Sequence, residues 1–175
     1  MGKANSGNLR APRPARAGRH RRERHEVGSA RAGRRQLRLG GPTGGELSVG
    51  PASEREGAAA CVSGRTETSH GLRQEALVEP LAAGGPFTFS SWIRVGGAGG
   101  QTVNAALTIT EEGQALRDLS LATIVAADGR WIELAGNFGL GFNAAPVTIE
   151  LKLYGPSADV ELCAADVKIQ PLSAR

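Results

Sequence analysis

From about Leu47 onward, apolar and polar residues alternate in short runs. In "VTIELKLY" (147–154), Val147, Ile149, Leu151 and Leu153 alternate with Thr148, Glu150, Lys152 and Tyr154. In "TVNAALTIT" (102–110), Val103, Ala105, Leu107 and Ile109 alternate with Thr102, Asn104, Ala106, Thr108 and Thr110. A sheet buried on one face and wet on the other produces this pattern. Period-two runs predict strands at 58–63, 72–78, 87–95, 102–110, 118–126, 131–140, 147–154 and 160–169. No stretch reads as a helix of about ten residues.

Between the runs stand turn-forming clusters: "GGAGG" (96–100), "EEG" (111–113), "DGR" (128–130), "GFNAAP" (141–146) and "GPSAD" (155–159). The Asp128–Gly129 pair suits a tight hairpin, because glycine tolerates positive φ. "GGAGG" reads as a second hairpin linker. It is not a phosphate loop, since no Lys/Ser pair follows it. Eight strands at this spacing predict an all-β protein, a two-sheet β-sandwich or jelly roll.

Charge divides the chain. Residues 1–45 hold twelve Lys/Arg against Glu23 and Glu26, whereas the remainder holds nine against fifteen Asp/Glu. The pI of about 9.7 therefore belongs to the first quarter. That quarter is rich in Arg, Gly, Pro and Ala and has no aromatic residue, the first being Phe87. Such a segment cannot bury enough apolar surface to offset its ordering entropy. The expected organisation is a disordered tail over 1–45 and a folded domain over 46–175. The start has no apolar core like that of a secretory signal, and no run approaches a membrane span.

Cys61 and Cys163 lack CxxC spacing and fit either one bridge or two buried thiols. With no other mark of secretion, buried thiols are the favoured reading. No catalytic residues emerge: there is no nucleophile elbow, zinc-ligand spacing or phosphate loop. A pair of placed carboxylates for glycoside cleavage is equally missing. No metal-ligand set and no cofactor motif is present.

"GRTET" (64–68), "PFTFSSWIRV" (86–95), "DGRWIELAGNF" (128–138) and "LYGPSADVELCAADVKI" (153–169) follow one another in a telling order. Together they resemble the carbohydrate-binding modules of the xylanase-associated family 4/9/22 group, the plant-type endo-1,4-β-xylanase modules most closely. The likeness spans about 58–170. It implies a β-sandwich whose concave face holds xylan or a β-glucan, and a monomer that binds polysaccharide without cleaving bonds. Catalysis would belong to a fused glycoside hydrolase barrel, far too long for this chain. It also implies an extracellular or cell-wall setting, and it allows a structural calcium ion; Asp166 fits either such an ion or a purely structural role, the latter favoured because no carboxylates cluster around it.

The resemblance makes Arg65, Thr66 and Tyr154 the candidate sugar contacts, and Trp92, Trp131 and Phe138 structural core residues. Glu67 is a further possible contact at the turn, and His70 an ordinary exposed turn residue. Aromatic positions of the family pattern fall on Ser69, Asp118 and Lys152, which implies a retained sandwich with a weakened cleft. The Arg-rich segment stands where family members carry early strands, so an N-terminally truncated module is expected, with an exposed sheet edge. The rival function is nonspecific binding of nucleic acid or another anionic surface through 1–45, where "RHRRERH" (19–25) meets phosphates in a salt-dependent way. That segment has no aromatics for base stacking. A membrane partner is not expected.

Overall fold

A computed structural model describes residues 44–172, apart from 76, 98, 127 and 128. The disordered tail expected over 1–45 therefore lies, up to residue 43, outside the described residues. Among the described residues nine strands form: β1 (Glu46–Pro51), β2 (Ala58–Ser63), β3 (Leu72–Gln74), β4 (Gly85–Val95), β5 (Gln101–Glu111), β6 (Arg117–Ala126), β7 (Ile132–Leu140), β8 (Pro146–Tyr154) and β9 (Leu162–Pro171). A single helical turn, α1 (Val78–Leu81), lies between β3 and β4. Two antiparallel sheets result, ordered β1-β2-β9-β4-β7 and β3-β8-β5-β6. The all-β sandwich read from the alternation is the observed fold. Among the described residues no helix is long and apolar enough to cross a membrane.

The core lies between the sheets and follows the period-two pattern. Phe87, Phe89, Ile93 and Val95 of β4 meet Val103, Leu107 and Ile109 of β5 and Ile149, Leu151 and Leu153 of β8 in one buried cluster. Phe138 of β7 joins it and stacks on Phe87 with ring centroids 5.6 Å apart. At Gly136 the sheets come too close for a side chain. A Cβ there would stand 2.1 Å from the Leu121 carbonyl oxygen of β6.

Several expectations need correction. Strand 72–78 stops at Gln74, and the chain then folds inward as Leu77 donates its N–H to the Ile149 carbonyl at 3.3 Å. Leu77 and Leu81 are buried there, and Pro80 sits in the first turn of α1, where a missing N–H costs no helix bond. β1 escaped the alternation because Leu47 alone of its side chains packs against the core, while Val49 is 66% exposed. Val147 does not point inward. Thr110 pairs with Thr148 and Glu111 with Pro146, so Val147 is the extra residue of a bulge and turns to solvent.

The two cysteines are not thiols. Cys61 of β2 and Cys163 of β9 are direct cross-strand partners, with Cα atoms 4.0 Å apart, and they form a disulfide. Neither Trp92 nor Trp131 lies in the sandwich core. Phe89, Ser91 and Ile93 face inward on β4, so parity sends Trp92 to the outer face, where Arg55 lies 3.9 Å over its ring. Trp131 packs on the same outer side against Ala52, Ala59 and Ala165, and its Nε1–H donates to the Ser53 carbonyl at 2.6 Å. The β1–β2 connection is thus a strap across both indoles, fastened by an Arg55–Asp166 ion pair at 3.2 Å.

Both linkers read as hairpins are crossings between the sheets. β4 and β5, and likewise β6 and β7, belong to different sheets, so neither "GGAGG" nor Asp128–Gly129 (Asp128 lying outside the described residues) closes a hairpin. "EEG" does, between β5 and β6.

Loop 141–145 hangs on one buried carboxylate. Glu111, 3% exposed, accepts from the Ala144 N–H at 2.9 Å, the Asn143 N–H at 2.5 Å and Arg117 Nε at 2.9 Å. The Ala144 N–H leads in holding this carboxyl below its ordinary value, with Arg117 and Asn143 adding to it and burial opposing. A depressed folded pKa gives stability that is present above the unfolded value, about 4.3, and lost as pH falls through the folded one. Glu111→Gln should therefore flatten the acid limb of the stability curve, read by urea unfolding between about pH 6 and about pH 2. An unchanged acid limb would show that other carboxylates govern it.

Candidate functional site

The outer face of the β3-β8-β5-β6 sheet is built by register. Leu72, Leu153 and Ala105 point to the core, so their neighbours Arg73, Lys152, Tyr154, Asn104 and Ala106 point outward. Reading across the strands, one row holds Tyr154, Asn104 and Thr123. The next holds Arg73, Lys152, Ala106 and Ser120, and a third holds Glu150, Thr108 and Asp118. Thr123 and Asn104 are joined at 2.9 Å, and the Thr108 hydroxyl donates to Asp118 at 2.6 Å. Arg73 pairs with Glu150 at 3.1 Å. Hydroxyls, an amide and charged groups thus cover this surface with one half-buried aromatic ring, Tyr154.

The turn 64–71 closes one end of this face. Gly71 packs so tightly on β8 that a Cβ would lie 1.9 Å from the Leu153 carbonyl oxygen, and Gly155 N–H donates to the Thr68 carbonyl at 2.9 Å. Thr66 is exposed at the turn, its hydroxyl 3.1 Å from His70 Nδ1. His70 is half-buried and also lies 3.9 Å from Glu67.

Arg65 is placed differently from a sugar contact. It is 5% exposed, and its two terminal nitrogens donate to the carbonyls of His70 (2.9 Å), Ser157 (2.6 Å) and Val160 (3.0 Å). Burial pushes its pKa below the ordinary arginine value, and Asp159 acts in the other direction. Arg65 is a clamp joining the turn to the β8–β9 loop.

The carbohydrate binding domain family matches residues 39–159. The chain belongs to that family. No curated protein matches this carbohydrate-binding domain. Among solved structures it is similar to the CBM22-2 xylan-binding domain of Paenibacillus barcinonensis Xyn10C, with TM-score 0.67 and 18% identity over 78% of this chain and 92% of that one. The CBM22-1 xylan-binding domain of the same protein gives TM-score 0.65 and 16% identity, over 77% and 88%. The CBM22-1–GH10 modules of Clostridium thermocellum endo-1,4-β-D-xylanase 10B, complexed with xylohexaose, give TM-score 0.65 and 19% identity over 77% of this chain. The domain spans about a quarter (26%) of that last chain.

Asp118, Lys152 and Tyr154, scattered in sequence, share the one sheet face, with Ser69 in the bordering turn. Arg73, Asn104 and Thr123 belong with them and were missed, because only cross-strand register brings them there. The carbohydrate-binding domain has another depression, of about 260 Å³, on the opposite sheet, lined by Ser48, Ala59, Cys61, Arg94 and Trp131 among others. Its indole is bonded to Ser53, and Arg94 lies 5.4 Å from the ring centroid. Asp166 does not fit a calcium ion, which needs six to eight oxygen ligands. Its carboxylate is engaged by Arg55.

Proposed function

We propose that this domain binds xylan or a related β-glucan without cleaving it, along the outer face of the β3-β8-β5-β6 sheet. The observation that carries the reading is the single ring of Tyr154 set among hydroxyl and amide side chains on an open sheet face. A sugar ring has apolar faces and a polar rim, which such a surface matches. With one ring the cleft is weak. The domain serves an attached or neighbouring glycoside hydrolase by holding it near polysaccharide, which raises its effective concentration there. The setting is extracellular, at a cell wall, and the Cys61–Cys163 disulfide is in keeping with an oxidising compartment.

Affinity electrophoresis in gels containing soluble xylan or mixed-linkage β-glucan, at moderate salt, tests this. The full chain should be retarded in one or both. Tyr154→Ala should weaken binding about tenfold, the equivalent of ~1.4 kcal/mol. Unretarded migration of the folded protein in both gels would sink the reading.

A further inference from the structure

The middle row of the face carries two cations side by side. Arg73 and Lys152 are direct cross-strand partners on β3 and β8. Like charges so placed repel and destabilise a sheet. Arg73 is neutralised by Glu150, whereas Lys152 has no hydrogen bond or ion pair among the described residues. The position therefore keeps an ammonium with no paired carboxylate, half-buried, near the centre of the face, while Arg73 is paired with Glu150 and Asp118 holds the Thr108 hydroxyl.

Lys152 and Tyr154 stand two residues apart on one strand and one face, about 6.8 Å between Cα atoms. That is close to the spacing between a sugar ring and a substituent on its neighbour. The row of Tyr154 is uncharged, holding Asn104 and Thr123, while the acids Glu150 and Asp118 stand one row beyond Lys152 on the far side. An anion approaching from the Tyr154 side meets the ammonium before it meets any carboxylate.

Resting on the binding role proposed above, we infer that Lys152 is a specificity-determining residue for a carboxylate-bearing xylan. A neutral sugar of the backbone lies on Tyr154, and a uronate side group places its carboxylate against the Lys152 ammonium, with Arg73 flanking. A neutral chain fills the same face but leaves the ammonium without a counter-charge.

The test uses the full chain and a xylo-oligosaccharide carrying one uronate side group, beside the same oligosaccharide with that carboxylate reduced to the alcohol. Both are titrated by NMR at moderate salt. The acidic form should bind about three- to fivefold more tightly, the size expected of a partly exposed charge pair. In folded Lys152→Gln the ratio should fall close to one, and Lys152→Arg should restore most of it. Equal affinities in the unchanged protein would overturn the inference and leave polysaccharide binding standing. A preference that persists in Lys152→Gln would also overturn it, since the anion would then be met elsewhere, the Arg-rich segment included. Binding of neither oligosaccharide, nor of xylan or β-glucan in gels, would remove both.

Discussion

Arg65→Ala should lower the unfolding free energy by about 3–5 kcal/mol, because one guanidinium satisfies three carbonyls. Two of them, on Ser157 and Val160, belong to the β8–β9 loop, and the third, on His70, belongs to the turn before β3. Truncation removes every donor at once and leaves acceptors in a place where little water reaches, since Arg65 is only 5% exposed. Arg65→Lys should recover only part of the loss. An ammonium keeps the charge but lacks the planar fork that reaches three oxygens in separate segments. Urea unfolding at neutral pH measures both variants. A loss below about 1 kcal/mol for Arg65→Ala would mean that backbone bonds such as Gly155 N–H to the Thr68 carbonyl hold the turn unaided.

Reduction of the disulfide should cost more still for its size. Cys61 and Cys163 are 102 residues apart, so the bond closes a loop of about 100 residues in the unfolded chain, for which the entropic effect is about 4–5 kcal/mol. Cys61→Ser with Cys163→Ser should unfold at a clearly lower temperature than the oxidised protein. A reducing agent should bring the unchanged protein down to nearly the same value. If the reductant leaves the melting temperature where it was, the bond does not form in the protein and the two sulfurs act as thiols.

The fold was legible because alternation runs through much of β4, β5 and β8, and a sheet buried on one face accounts for it. Strand positions came within a few residues for the same reason. What alternation does not encode is which sheet a strand joins. Glycine-rich breaks mark where the chain reverses, yet β4–β5, β6–β7, β7–β8 and β8–β9 each pass from one sheet to the other. Parity already placed Trp92 on the outside, since it alternates with Ser91 and Ile93. The family resemblance pointed the other way, and the Arg55 strap that shelters Trp92 is a tertiary feature with no local signal. Arg65 misled for a related reason. An arginine in a polar turn reads as solvent-facing until the β8–β9 loop, about 90 residues later, supplies the carbonyls that enclose it. Tyr154 and Lys152 were placed on the wet face directly from "VTIELKLY", but Arg73, Asn104 and Thr123 joined them only through pairing.

The cross-strand clip also bears on mechanics. Under the binding role proposed above, a domain joined to another segment would be pulled through its chain ends. Tension entering at β1 can peel that edge strand from β2, but the covalent bond from Cys61 to Cys163 stops the rip there. The residues between the two cysteines include β3 to β8 and hence the whole β3-β8-β5-β6 sheet. Load passes through the disulfide and bypasses that loop, so the sheet that carries Tyr154 keeps its shape while the strands outside it are stretched.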